Sequence, residues 1–310
     1  MKVPSSNEIK RLGKRLREED FTGSDIKMLE GYREVLDPLL FQTAGEIAEI
    51  AVACDLPAVV GGRSKRAKSI IRKLRRPVNA GMDLSRMDDL IGVRVIVADL
   101  AAQDKMLGMM PSALSETKSV KDFRSLDTSY KAVHIVGKDG DLQVEVQIRT
   151  LLQQLWANES EAFGEATKEG RGTPEVKEYL AELSAGCVAV ENGEQVANLD
   201  FTSPLYKPRG ALTRQLPTLR SLFVKAAKAA DESGQTDERR SFIVVYDNEL
   251  KQQYQAHSFK GTEDERTLAL EWYRYLSRTL DQIRYEAVIL NGASKAALAV
   301  THPRFFPEVL

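Results

Sequence analysis

The spacing of apolar positions predicts helices at the start of the chain. Residues 6–53 read as helical. Within them Met28, Leu29, Tyr32, Val35, Leu36 and Leu39 recur at helical spacing, behind a cap at Ser24-Asp25 and a start near Ile26. Pro57 and the pair Gly61-Gly62 punctuate the chain before the next element. Ala67, Ile70, Ile71 and Leu74 then fall at i, i+3, i+4 and i+7, the single stripe of an amphipathic helix that Pro77 ends.

The period changes after Asp89. Residues 90–97 are short, apolar and β-branched, which predicts a buried strand. A second strand is expected near residues 130–136, and Lys138, Asp139 and Gly140 form a turn signal. Residues 141–149 alternate: Leu142, Val144, Val146 and Ile148 point one way, Gln143, Glu145, Gln147 and Arg149 the other. Thr150 is placed to cap a helix that contains Trp156. After a break at residues 170–173, residues 175–190 read as another helix. Pro204, Pro208 and Pro217 mark residues 200–217 as a connector, and residues 231–240 as an exposed polar loop. Beyond lie a strand (242–246), a helix (263–279), a strand (286–290) and a last helix from Ser294. Leu268, Trp272, Tyr275 and Leu276 give that longer helix a face to cover a small sheet made by the two strands.

Composition narrows the class. The chain has 310 residues, 43% of them hydrophobic, enough for one large domain or two ordinary ones. With 29% charged residues and a net charge of -1, any polyanion contact must come from a local patch. Cys54 and Cys187 are far apart in apolar stretches and read as two ordinary buried thiols. Residues 1–20 are rich in Lys, Arg and Glu without an apolar signal core, and no run approaches the roughly 20 apolar residues of a membrane span. A soluble protein of the reducing cytoplasm is expected.

The local patch is present. Residues 56–82 hold no acid and eight basic residues. Lys65, Lys68, Arg72 and Arg76 lie opposite the apolar stripe, a row suited to several phosphate charges. A solvated helix face is the plain alternative, but such a face usually mixes signs. Asp89 and Glu145, both at strand positions, could share Mg²⁺ with substrate phosphates. Glu145, Gln147 and Arg149 share one strand face, which a half-exposed strand could show by chance and which, aimed into one cleft, would serve recognition and catalysis. Tyr130 could stack on a base. His134 could bind phosphate or be a satisfied core histidine, and His257 and His302, isolated in the sequence, read as surface or packing residues.

Taken in order, these pieces resemble the RelA/SpoT synthetase domain. The resemblance is carried by Gly62-Arg63-Ser-Lys65-x3-Ser69-x3-Lys73, Asp89-Leu-Ile-Gly-Val-Arg94, Ser129-Tyr130-Lys-Ala-Val-His134, Val144-Glu145-Val-Gln147-Ile-Arg149-Thr150 and Gln154-Leu-Trp156-Ala157. It spans about residues 40–170 and is far more specific than one short motif. It implies an α/β (α+β) fold: a nucleotidyltransferase-like mixed sheet flanked by helices. It also implies an ATP-dependent pyrophosphokinase. Arg63, Lys65, Ser69 and Lys73 would bind ATP phosphates, with Lys68, Arg72 and Arg94 in the same set. Asp89 would hold Mg²⁺, and Glu145 would complete the metal site or activate the acceptor hydroxyl. Tyr130, Lys131, His134, Gln147 and Arg149 would form the acceptor side.

The pattern departs after Trp156. Many members continue with a Glu-His pair and then Tyr-Lys, whereas this chain reads Asn158-Glu-Ser-Glu-Ala-Phe-Gly-Glu165. The acceptor therefore stays open between GDP or GTP, which would give (p)ppGpp, and the 3′ end of tRNA in a toxin-type enzyme held by a protein antitoxin. A nucleotide-binding module without catalysis is the third reading. The first 50 residues carry no His-Asp metal signature of a hydrolase unit. Residues 242–247 and 291–306 resemble, more weakly, tails of some small RelA/SpoT-domain proteins. The expected division is a synthetase domain over 1–199 and a β-α-β-α accessory or regulatory module over 200–310, in a chain compatible with an oligomer.

Overall fold

A computed structural model describes residues 4–139, 142–164, 171–203, 207–233, 239–281 and 284–306. Gly140 of the expected turn, Asp141 at the start of the expected strand, Gly170, Pro204 of the expected connector and residues 234–238 of the expected loop lie outside them. The chain opens with α1 (Ser6–Glu18) and α2 (Gly23–Ala53). α1 starts on a reciprocal cap between Ser5 and Glu8. α2 starts earlier than the sequence suggests, because Asp25 reaches back to the Thr22 backbone N–H (2.9 Å), making Thr22 rather than Ser24 the cap.

The remaining elements are β1 (Ala58–Ser64), α3 (Ala67–Arg75), β2 (Ile91–Val97), α4 (Leu100–Ala113), β3 (Glu116–Asp122), β4 (Val133–Asp139), β5 (Leu142–Thr150), α5 (Leu151–Ala162), α6 (Pro174–Glu191), α7 (Leu216–Ser233), β6 (Arg240–Asp247), β7 (Gln252–Lys260), α8 (Glu263–Thr279), β8 (Tyr285–Gly292) and α9 (Lys295–Thr301). The eight strands form one mixed sheet in the order β3-β4-β5-β2-β1-β8-β6-β7. Only β2 and β5 run parallel; the other described pairings are antiparallel.

Strand register decides where chemistry can occur. Gly61 lies opposite Arg94 and Arg63 opposite Gly92. Gly92, Arg94 and Ile96 lie beside Glu145, Gln147 and Arg149, and His134 pairs with Gln147. Cross-strand partners share a face. Arg63, Arg94, Glu145, Gln147, Arg149 and His134 are therefore gathered on one side of four adjacent strands. The other side carries Val93, Val95, Val133, Ile135, Val144, Val146 and Ile148, buried under α1, α2 and α4 in the largest apolar cluster. α5, α6, α7 and α9 cover Val59 and Ile96 on the polar side, beyond the charged residues.

Two expectations change here. The small separate sheet does not exist, because β8 pairs with β1 through Gly61–Gly292, Gly62–Asn291 and Arg63–Leu290. β6 and β8 thus extend the main sheet. α8 covers one of their faces, while Phe305, Phe306 and Leu298 pack on the other. The C-terminal order is also β-β-α-β-α, since β7 is an additional strand. Its sequence is polar and it lies at an exposed sheet edge, so no apolar alternation announces it. The connector ends in helical turns over 208–215 that run without a break into α7, and Pro217 closely follows a π turn over Ala211–Gln215, the kind of local adjustment that accommodates a missing N–H donor. Cys187 is buried as expected, whereas Cys54 is exposed.

β1 escapes a propensity reading because Gly61-Gly62 lies in its middle. A Cβ on Gly61 would stand 2.4 Å from Thr301 Oγ1, and one on Gly62 would stand 3.1 Å from a Leu40 methyl. These glycines let α9 and α2 approach the strand from opposite sides. Gly61→Val should therefore push α9 off the sheet and lower stability by about 1–3 kcal/mol, as overpacking does. A urea unfolding midpoint equal to that of the wild type would show that α9 is not docked this tightly.

Candidate active site

The site forms where β1, β2 and β5 present their polar face. β1 delivers Arg63, and the chain then turns through Lys65 into α3. The N-cap of α3 is Arg66, whose side chain makes no capping bond, so the first amides of a basic helix have no side-chain partner there. Lys65 Nζ and Lys73 Nζ both reach Asp89 Oδ2, at 2.6 and 2.8 Å. Burial pushes the Asp89 carboxyl up, but these two ammoniums outweigh it and hold it below its ordinary value. Lys65, by contrast, is held below its ordinary value by its own burial. Asp89 Oδ1 is buried and has no hydrogen-bond partner among the described residues. A buried carboxylate oxygen in this state is poised for a ligand.

A closed ring of hydrogen bonds lies beside it. His134 Nδ1 contacts Glu145 Oε1 (2.9 Å), and Gln147 Nε2 donates to Glu145 Oε2 (2.7 Å). Arg149 donates to Gln147 Oε1 (2.9 Å) and to the Tyr130 hydroxyl (3.1 Å), which contacts His134 Nε2 (2.5 Å). A carboxylate only accepts, so His134 Nδ1 carries a proton toward Glu145, and Nε2 faces the Tyr130 hydroxyl. Burial pushes Glu145 up, but His134 and then Gln147 hold it below the usual carboxylate range. The Tyr130 ring packs edge-on against Phe123 and Trp156, with the Arg149 guanidinium over it.

Arg63, Lys65, Asp89, Arg94, Glu145 and Gln147 line a cleft of about 190 Å³. Arg94 is tied to Glu161 (3.1 Å) and to the Thr301 carbonyl (2.7 Å). No ion pair closes on Arg63 among the described residues. Burial, then the neighbouring Arg94 and Arg66, push its guanidinium down to about 10. Glu161 and Glu286 oppose them more weakly, and a buried cation in such surroundings is suited to an anion. Asp89 and Glu145 are an all-oxygen pair suited to a hard cation shared with phosphates. No group of three or more His, Cys, Asp or Glu side chains that could cage a metal is found among the described residues.

A second, larger cleft of about 1690 Å³ opens between α3, α5 and the C-terminal strands. Lys68 and Arg72 line it together with Asn158, Tyr246 and Arg304, and Glu161 lines both clefts. The predicted residues therefore divide. Arg63, Lys65, Lys73, Asp89, Arg94, Glu145 and Gln147 meet at the small cleft, with Tyr130, His134 and Arg149 joined to it through the ring. Lys68 and Arg72 belong to the larger cleft. Ser69 lines neither, and Lys131 is anchored in an outer loop by the Leu126 carbonyl (2.5 Å). Sequence reasoning missed Glu161 and His302, which also line the small cleft. His302 is buried there, whereas His257 is exposed and touches Trp272 edge-on.

Residues 62–164 match the model of the region found in RelA and SpoT proteins. That match covers about a third of the chain. An uncharacterized protein of Mycobacterium tuberculosis strain H37Rv and its Mycobacterium bovis counterpart are each 30% identical over 148 residues, 47% of this chain and 52% of theirs. The chain thus spans about half the length of the curated relatives it matches. Among solved structures, the small alarmone synthetase 1 of Bacillus subtilis bound to its product pppGpp is 22% identical, over 55% of this chain and 94% of that one, with a TM-score of 0.44. The same protein bound to AMPCPP is 21% identical, over 55% and 93%, with a TM-score of 0.39. The RelA/SpoT region contains every predicted site residue and Glu161, while His302 lies outside it. No described helix is long and apolar enough to cross a membrane.

Proposed function

We propose that this protein is a pyrophosphokinase that moves the β,γ-pyrophosphate of ATP to the 3′-hydroxyl of GDP or GTP, releasing AMP. The observation that carries this reading is the convergence of Asp89 and Glu145 with Arg63 and Lys65 on one small cleft inside the RelA/SpoT region. The hydroxyl oxygen forms a bond to the β-phosphorus, the bond from that phosphorus to the α,β-bridging oxygen breaks, and AMP leaves with the electron pair. Arg63 and Lys65 hold the phosphates in line. Ionised Glu145 accepts the hydroxyl proton or holds the metal beside Asp89. Mg²⁺, when bound by these two carboxylates, neutralises the charge of the phosphates.

The test is an incubation of the full chain with ATP labelled in the γ-phosphate, Mg²⁺, and GDP, GTP or total tRNA, followed by product separation. The expected result is AMP in equal amount to a labelled guanine nucleotide. Label in tRNA instead would keep the chemistry and change the acceptor. No AMP with any acceptor would overturn the enzyme reading.

A further inference from the structure

The C-terminal segment reaches the reaction cleft through one side chain. Arg94 donates to the Thr301 carbonyl (2.7 Å), and Gly61 makes room for the Thr301 side chain, so the end of α9 is fixed against β1 and β2. The next residue, His302, lines the small cleft with Asp89 and Glu145. Its tautomer can be read from its neighbours. The Thr301 hydroxyl donates its only proton to the Ala297 carbonyl (3.0 Å), so toward His302 Nδ1 (2.9 Å) it can only accept. Nδ1 therefore carries the ring proton. No hydrogen bond among the described residues engages Nε2. Burial, then Arg94 and Arg63, hold the imidazole well below its ordinary value, which keeps the ring neutral. A neutral ring protonated at Nδ1 offers a lone pair at Nε2. In a cleft crowded with cationic donors, that lone pair is suited to a ligand that donates, such as a hydroxyl, rather than to a phosphate oxygen.

We propose that His302 Nε2 is the hydrogen-bond acceptor for the ribose 3′-hydroxyl of the bound acceptor nucleotide, which leaves Glu145 the metal-holding one of its two roles, so that the C-terminal segment supplies part of the active site. This assignment rests on the pyrophosphokinase reading and adds a residue from outside the RelA/SpoT region. A site that hydrogen-bonds a substrate hydroxyl discriminates strongly against an analogue lacking it.

The test uses the full chain and two variants that fill the same space. His302→Leu cannot accept a hydrogen bond, whereas His302→Gln can through its amide oxygen. Binding of GTP and of 3′-deoxy-GTP is measured by calorimetry, alongside AMP release. The wild type should prefer GTP, His302→Leu should lose about tenfold in GTP affinity and erase the preference, and His302→Gln should keep most of both. The chain has three histidines. Imidazole ¹⁵N shifts, with His302→Leu for assignment, should report His302 as the Nδ1-protonated tautomer. Full discrimination and AMP release in His302→Leu would overturn the proposal while leaving the pyrophosphokinase reading intact. Discrimination that depends on His302 without AMP release would keep the proposal and overturn that reading. No preference for GTP in the wild type, or an Nε2-protonated ring, would overturn the proposal.

Discussion

Glu145→Gln is expected to lower AMP formation by at least about two orders of magnitude while leaving the fold unchanged. Both Glu145 oxygens receive hydrogen bonds, from His134 Nδ1 and from Gln147 Nε2. An amide offers one oxygen and one NH₂, so one of those donors would face another donor. Under the proposed function, the substitution also removes one of the two negative charges that would hold a shared cation. The backbone around it should hold, because Val144 and Val146 stay buried in the apolar cluster on the opposite face of β5. The measurement is AMP release per enzyme, with near-ultraviolet circular dichroism as the control for folding. Wild-type turnover in a folded Glu145→Gln protein would remove Glu145 from the chemistry. A loss of near-ultraviolet signal would show that the hydrogen-bonded ring supports the fold itself.

Much of this site was legible because its residues sit on regular elements with strong periods. The apolar stripe of α3 fixes its basic face, and the alternation in β5 puts Glu145, Gln147 and Arg149 on one side. α8 ends at Thr279 as its pattern predicts, but its buried face is Ala269, Tyr273 and Leu276, while Leu268 and Tyr275 of the predicted face are exposed. What was not legible depends on contacts between distant parts of the chain. Gly61-Gly62 reads as punctuation until Thr301 and Leu40 are seen to occupy the space beside them. β3 and β7 are polar edge strands with no buried face to mark a period. The pairing of β8 with β1 joins residues far apart in sequence, and no local pattern specifies it. His302 looked isolated for the same reason: its neighbours Arg63 and Arg94 are some two hundred positions away in sequence but adjacent in the sheet.

Removing residues 200–310 should leave a chain that cannot fold into a monomer. The cut takes β8 from β1, which turns a central strand into an open edge. It strips Leu212, Leu216, Leu219, Phe223 and Val300 from the cluster that also holds Leu155, Leu180 and Leu183. It removes the Tyr273 hydroxyl from buried Arg33 and the Arg274 partner of Glu34, leaving two polar groups of α2 facing the gap. Each large apolar side chain uncovered is worth about 1.5–3 kcal/mol, and several together exceed the roughly 5–15 kcal/mol that holds a typical domain. Size-exclusion chromatography with light scattering, and near-ultraviolet circular dichroism, of a chain ending at Leu199 would check this. The expected outcome is aggregation, or a species without a near-ultraviolet signal. A monomer with a sharp unfolding transition and full AMP release would mean that residues 200–310 are dispensable to both the core and the cleft. Such a result would also remove His302 from the active site. A folded monomer that has lost AMP release, with Asp89 and Glu145 still in place, would separate the two contributions: the core would stand without the C-terminal strands, and the cleft would not.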